Sequence, residues 1–211
     1  MIPAQTGGAM TKRVLLAGVL GAIAMFFWSF VAHMVLPLGY TGVREIPNEA
    51  PVLSALQTNL GQTAGLYLFP GLGAGPNPTP AQRNAAMKGY EPKLAANPSG
   101  MLIYHPPGAK GITGGKLGLE FLTELVEALL AVILLAQTRI GSYAGKVGFI
   151  ILVGVVAAIA SSIPYWNWYG FPGNYTTAYM SIQIIAFLVA GLVAAAVLKN
   201  REPLGFAAGA K

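Results

Sequence analysis

The sequence contains no cysteine and no aspartate, and its 211 residues include only two histidines. Without cysteine there is no disulfide, no thiolate nucleophile and no cysteine-ligated zinc or iron–sulfur cluster. Charged residues make up 9% of the chain, whereas soluble domains average about 25%. With 55% hydrophobic residues and a mean hydropathy of +0.59, this scarcity of charge excludes an ordinary soluble domain and indicates an integral membrane protein.

The basic residues give a net charge of +6, but their distribution does not indicate nucleic-acid binding. They flank apolar segments and form no patch interleaved with aromatic side chains. This placement is typical of membrane topology signals. We therefore expect the lipid bilayer as a partner and no nucleic acid.

Four apolar segments predict a four-helix transmembrane bundle. The first, Val14 to Leu38, follows Lys12 and Arg13, and its 25 residues exceed the apolar core of a signal peptide, which is about 7–15 residues long. We therefore expect an uncleaved helix. The other three are predicted at Lys116 to Arg139, Val147 to Ile163 and Thr177 to Leu198, with an aromatic interfacial turn over 164–172. The predicted regions are 1–38 (leader and first helix), 39–115 (connection) and 116–211 (helices two to four and tail).

The connection 39–115 contains no predicted span but does not lack structure. Capping and stop signals predict helices over 48–60 and 79–89. Short apolar runs predict strands at 65–69 and 101–105. We expect a small α/β cap whose strands pair, while the amphipathic 48–60 helix has the alternative of lying on the bilayer surface.

The charges next to the apolar segments predict the orientation. All short basic flanks fall on one side, which the positive-inside rule makes cytoplasmic. The basic residues of the long connection are discounted, because long loops translocate largely regardless of charge. The prediction is a multi-pass protein of the cell inner (plasma) membrane with both termini cytoplasmic and the cap extracytoplasmic. The flanking residues are Lys12, Arg13, Arg139, Lys146, Lys199 and Arg201.

Three of the seven acidic residues share one face of the second predicted span. Glu120, Glu124 and Glu127 stand at i, i+4 and i+7, which places them within roughly 60° of one another on a helix. His33 and Gln183 fall at similar depths on the first and fourth spans. These five side chains predict a polar cavity that opens outward, and ionisable groups inside a membrane are candidates for function.

Three interpretations of this face stay open at the level of sequence. The glutamates can form a structural hydrogen-bonded network, a site for a small ligand, ion or proton, or part of a hydrolytic or metal centre. No EF-hand or His-Glu-x-x-His pattern supports a metal site. A bis-histidine haem would need His33 and His105, which are predicted in different parts of the chain. We therefore predict no metal and no cofactor.

The layout resembles small bacterial four-helix inner-membrane proteins with a large first periplasmic loop. The segments that carry the resemblance are Trp28 to Leu38, Gly65 to Pro70 and Tyr104 to Pro106. The resemblance implies the architecture and attaches no activity to it.

Small residues recur at four-residue spacing on the first, third and fourth predicted spans, and such ridges allow helices to approach closely. They suggest a non-enzymatic accessory or scaffolding subunit of a larger membrane assembly, or a homo-oligomer, whose partners are other membrane proteins or its own copies. The alternative is a small transport or ligand- or ion-binding protein that uses the glutamate and histidine cavity. A second alternative is a membrane enzyme that uses His33 and the glutamates.

Overall fold

The computed structural model describes residues 6–198, which are mostly helical. The described helices and strands, in chain order, are α1 (Thr6–Phe30), α2 (Glu49–Leu60), β1 (Gly65–Phe69), α3 (Pro80–Met87), α4 (Tyr90–Ala96), β2 (Gly100–Tyr104), α5 (Gly114–Ala136), α6 (Tyr143–Tyr169) and α7 (Gly173–Val197). A π-helical turn, Val31–Val35, continues α1, and a short 3₁₀ turn, Leu38–Tyr40, follows it. The described residues before Arg44 and after Gly111 form one compact unit, and Arg44–Gly111 forms a second.

The first unit is built from antiparallel helix pairs. Helix α1 packs against α5 and α7, and α7 also packs against α6. The contacts depend on small residues: a Cβ added at Gly18 would collide with Leu129, and one added at Gly154 would lie 2.5 Å from the Phe187 Cβ. The buried core lies along these seams and is composed mainly of alanine, with Met25, Val132, Leu135, Ile150, Phe187 and Leu198 as its larger side chains.

Three helical segments of the described chain are long and apolar enough to cross a membrane. They are Thr11–Val35, Tyr143–Tyr169 and Gly173–Val197, with mean hydropathies of 2.3, 2.4 and 2.4. This result agrees with the predicted class of helical membrane protein. The second predicted span, α5, is not among the three, and it carries Lys116 and the three glutamates.

The predicted aromatic turn over 164–172 is wrong over its first six residues. Helix α6 continues through Pro164 to Tyr169 and ends at Gly170. Gly170 adopts the left-handed conformation, with φ +70°, which glycine allows at little cost. The Phe171 N–H then bonds back to the Tyr165 carbonyl at 3.4 Å, which is the closure of a glycine-terminated helix. Since the turn is only 170–172, α7 begins at Gly173, four residues before the predicted start.

The second unit contains a two-stranded antiparallel sheet flanked by short helices. The pairing of β1 with β2 agrees with the prediction, and its register joins Gly65 to Tyr104 and Phe69 to Gly100. The predicted capping box at the start of α3 is present, with Gln82 as its second member. Helix α2 begins as predicted, but Asn48 lies in the left-handed region and makes no side-chain cap. Helix α4 was not predicted.

Candidate functional site

Helix α5 has two faces of opposite character. Leu119, Leu122, Val126 and Leu130 form an exposed apolar stripe with a spacing of three or four residues. The opposite stripe is buried against neighbouring helices and contains Ala128, Ala131, Val132 and Leu135. The three predicted site carboxylates differ in burial. Glu120 is exposed, Glu127 is half-buried, and Glu124 is only 5% exposed.

Glu124 lies at the contact between α5 and α1. The Ser29 hydroxyl of α1 donates a hydrogen bond to Glu124 Oε1 at 2.5 Å. The second carboxyl oxygen, Oε2, is buried and has no hydrogen-bond partner among residues 6–198. Phe26 and Phe121, which lie three residues before Ser29 on α1 and before Glu124 on α5, meet edge to face with ring centroids 5.6 Å apart. The carboxyl group therefore accepts a hydrogen bond at one oxygen and has no hydrogen-bond partner at the other.

Ser29 was not among the predicted site residues, although the sequence contains a signal for it. It is the only hydroxyl-bearing residue in the apolar run from Val14 to Leu38. A lone serine in a membrane helix marks a candidate hydrogen-bond donor to a neighbouring helix. Sequence alone did not indicate which carboxyl group it would meet.

His33 lies in the π-helical turn at the end of α1, and its described contacts lead away from the glutamates. Its ring meets Tyr179 of α7 edge to face, with centroids 6.1 Å apart, and Tyr179 stacks on Tyr175 at 4.4 Å. A Cβ at Gly39 would lie 2.1 Å from His33 Nδ1, so only glycine leaves room for the imidazole there. The contacts described for His33 are therefore with Tyr179 and with the backbone position of Gly39.

Gln183 is half-buried on α7. Its neighbour Ile182 accepts a hydrogen bond from the Trp28 Nε1–H through its carbonyl, at 2.8 Å. The described hydrogen bond of Glu124 goes to Ser29 and not to Gln183. The described hydrogen bonds and ring contacts join Glu124 to Ser29 and His33 to Tyr179. Ser29, the hydrogen-bond partner of Glu124, was not predicted. His33, at the end of α1, packs against the aromatic side chains of α7.

A second buried charge lies near the start of α6. Lys146, predicted in the basic cytoplasmic turn, is 1% exposed, and its Nζ donates to the Leu198 carbonyl at 2.7 Å. One turn before it, the Tyr143 hydroxyl donates to the Leu192 carbonyl at 3.0 Å. Cations are favourable at a helix C-terminus, where carbonyl groups lack partners within the helix. Lys146 therefore serves as a cap for the end of α7.

The described residues contain no group of three or more histidine, aspartate or glutamate side chains placed to hold a metal ion. Three described helices are long and apolar enough to cross a membrane, so the chain has the character of a helical membrane protein. One of its buried carboxyl groups, that of Glu124, has a hydrogen-bond partner at only one of its two oxygens. Among known proteins, no family, no curated protein and no solved structure matches it.

Proposed function

We propose that α5 is a fourth membrane span and that the chain is a four-span bundle. Its 23 residues extend about 35 Å at the helical rise of about 1.5 Å per residue, enough for a hydrocarbon core about 30 Å thick. Its exposed apolar stripe fits a lipid-facing surface. Its buried carboxyl group lies on the α1 side, as expected for an ionisable group inside a membrane.

The orientation proposed from the sequence accompanies this bundle. Both termini and the turn between α5 and α6 lie in the cytoplasm, and the Arg44–Gly111 unit is an extracytoplasmic cap. The membrane is the cell inner (plasma) membrane. The support is the charge of the short flanks, since Arg139 and Lys146 border one end of α6 while the turn 170–172 carries no charge.

The function that we propose is the binding of a small monovalent cation, the proton included, at Glu124 in the service of transport. The observation that carries it is the unsatisfied Oε2 of a carboxyl group buried between two helices. A bare carboxylate in such a place costs several kcal/mol, by the order of magnitude for buried unpaired charges. A bound cation at Oε2 removes this cost, whereas a purely structural network would satisfy both oxygens.

The test is the thermal unfolding of the purified full chain in detergent. A ligand that binds only the folded state raises the melting temperature with its concentration. The melting temperature of the wild type should depend on proton, lithium, sodium or potassium concentration. The dependence on the bound cation should disappear in Glu124→Gln, which keeps the shape of the side chain and removes its charge.

Glu120→Gln is the matched control, because Glu120 is on the same helix, one turn away, and exposed. It should retain the wild-type dependence. If wild type and Glu124→Gln respond alike to every cation and to pH, the proposed function is wrong.

A second candidate function, a subunit of a larger assembly or a homo-oligomer, is favoured by the second unit. Leu66 pairs with Ile103 and Leu68 with Met101, so these side chains share one face of the sheet, and three of the four are exposed. The ridges that motivated this hypothesis lie against helices of the same chain, as Gly154 does against Phe187. Native mass and co-purifying subunits after gentle extraction test it. A monomeric mass with no companion protein would contradict it.

A further inference from the structure

We infer that the cation bound at Glu124 is a proton and that Ser29 is the fixed donor that positions the carboxyl group to receive it. This inference rests on the proposed function and names the ligand of the same site. In the binding step, Glu124 Oε2 accepts a proton from a hydronium ion: one O–H bond of hydronium breaks, a carboxylic O–H bond forms, and a water molecule is left. Release reverses the step, so no electron transfer and no other reactant is needed.

The described protein ligands around Glu124 are too few for a divalent metal ion held by the protein alone. Hard cations such as Ca²⁺ and Mg²⁺ take six or more oxygen ligands in proteins. The described contacts supply two carboxyl oxygens and the Ser29 hydroxyl, whose hydrogen already points to Oε1. Phe26 and Phe121, about one turn away on α1 and α5, offer no oxygen. A proton needs only one lone pair, and the unsatisfied Oε2 supplies it.

The other titratable groups around the site are few. On α5 itself, Glu120 and Glu127 flank Glu124, one about a turn before it and the other a turn after it. On α1 the next titratable group is His33, which meets Tyr179 of α7. Along this helix face Glu120 is exposed, Glu124 is buried and Glu127 is half-buried, so the buried carboxyl group lies between two that are less buried. Glu124 is the one of the three that is buried and has an oxygen free to hold a proton.

The experiment uses N,N′-dicyclohexylcarbodiimide, an apolar reagent that reacts with protonated carboxyl groups in apolar surroundings. The full chain in detergent is treated across a pH series, with and without sodium, lithium or potassium. Adducts are counted by intact mass and assigned by peptide mapping. We expect one adduct at Glu124, which decreases as pH rises and is unaffected by the alkali cations. The adduct is lost in Glu124→Gln and kept in Glu120→Gln.

The pH dependence of labelling in Ser29→Ala is a second measurement. It reports the protonation of Glu124, which a purely structural role of Ser29 would leave unchanged. Without the hydroxyl donor, the ionised carboxyl group loses its only described hydrogen bond, so labelling should persist to higher pH than in the wild type. Ser29→Thr retains a hydroxyl group and should restore the wild-type profile. An unchanged profile in Ser29→Ala would overturn the positioning role of Ser29.

The outcomes separate this inference from the function on which it rests. If sodium or another alkali cation protects Glu124 from the reagent, the ligand is a metal ion, and the proton assignment fails while cation binding at Glu124 stands. If Glu124 is not labelled at any pH and Glu124→Gln melts with the wild-type dependence, both proposals fail.

Discussion

Glu124 and Lys146 are the most buried charged side chains in the described part of the chain, and their surroundings differ in kind. Lys146 donates to a carbonyl at the end of α7, where positive charge is favourable. Glu124 receives one hydrogen bond and has an oxygen without a partner. The hydrogen bond of Lys146 therefore has a structural explanation, whereas the second carboxyl oxygen of Glu124 has none.

Replacing Lys146 with alanine should destabilise the fold by about 2–4 kcal/mol, since it removes a buried side chain and leaves the Leu198 carbonyl without its partner. Lys146→Met keeps most of the volume and should lose only about 1–2 kcal/mol. Reversible unfolding in mixed detergent micelles, followed by circular dichroism, measures both values. Lys12→Ala, at an exposed position of α1, is the control. Equal stability of Lys146→Ala and Lys12→Ala would contradict the capping role.

Glu124→Leu separates a structural carboxyl group from a functional one. Replacing a buried, half-satisfied polar group with an apolar side chain of similar size is often neutral or stabilising. The free energy of unfolding should therefore stay within about 1 kcal/mol of the wild type, and the cation-dependent shift in melting temperature should vanish. A loss of stability well beyond that range would show that the carboxyl group belongs to a satisfied structural network. The same micelle unfolding assay provides the measurement.

At the scale of the helix, the seam between α6 and α7 depends on glycine. Gly154→Ala should destabilise the fold by about 1–3 kcal/mol, because the new methyl group would overlap Phe187 in a packed interface. Gly148, on the same helix, has nothing within 4 Å of an added Cβ, so Gly148→Ala should leave stability unchanged or slightly raised. If both variants unfold alike, the seam is more adaptable than the structure implies.

The accuracy of sequence-based prediction differed between elements for physical reasons. The start of α3 was predictable because its capping box is a local interaction between Thr79 and Gln82. The end of α6 was not, because Pro164 normally ends or bends a helix, and here Gly170, six residues later, provides the stop. Helix α4 is too short for its periodicity to be visible.

For the candidate site, too, the features that depend on one helix could be predicted and those that depend on packing between helices could not. The shared face of the three glutamates is a property of one helix and could be predicted from their spacing. Which of them is buried depends on how α1 packs against α5, and the sequence of α5 alone does not determine this packing. The pairing of Ser29 with Glu124 joins residues 95 positions apart, and the contact of His33 with Tyr179 likewise depends on the packing of α1 against α7.

At the scale of the whole molecule, orientation is the property to test first. Since the chain has no cysteine, single cysteines can report the side of the membrane directly. Asn77→Cys and Trp168→Cys should react with an impermeant maleimide in intact cells, while Gly141→Cys and Gly205→Cys should react only after permeabilisation. Labelling of Asn77→Cys from the cytoplasmic side alone would reverse the proposed orientation.

The ties between α6 and α7 bear on how the polypeptide is assembled. A turn of only three residues joins the two helices, and Tyr143 and Lys146 fasten the far end of the pair to α7 backbone carbonyls. Such a hairpin carries its own contacts and can enter the bilayer as a single piece, docking afterwards through α7 onto α1. The chain should then tolerate being severed after Ile140. Residues 1–140 and 141–211, produced as separate polypeptides in one cell, should co-purify as a complex, and Gly154→Ala in the shorter piece should weaken their recovery.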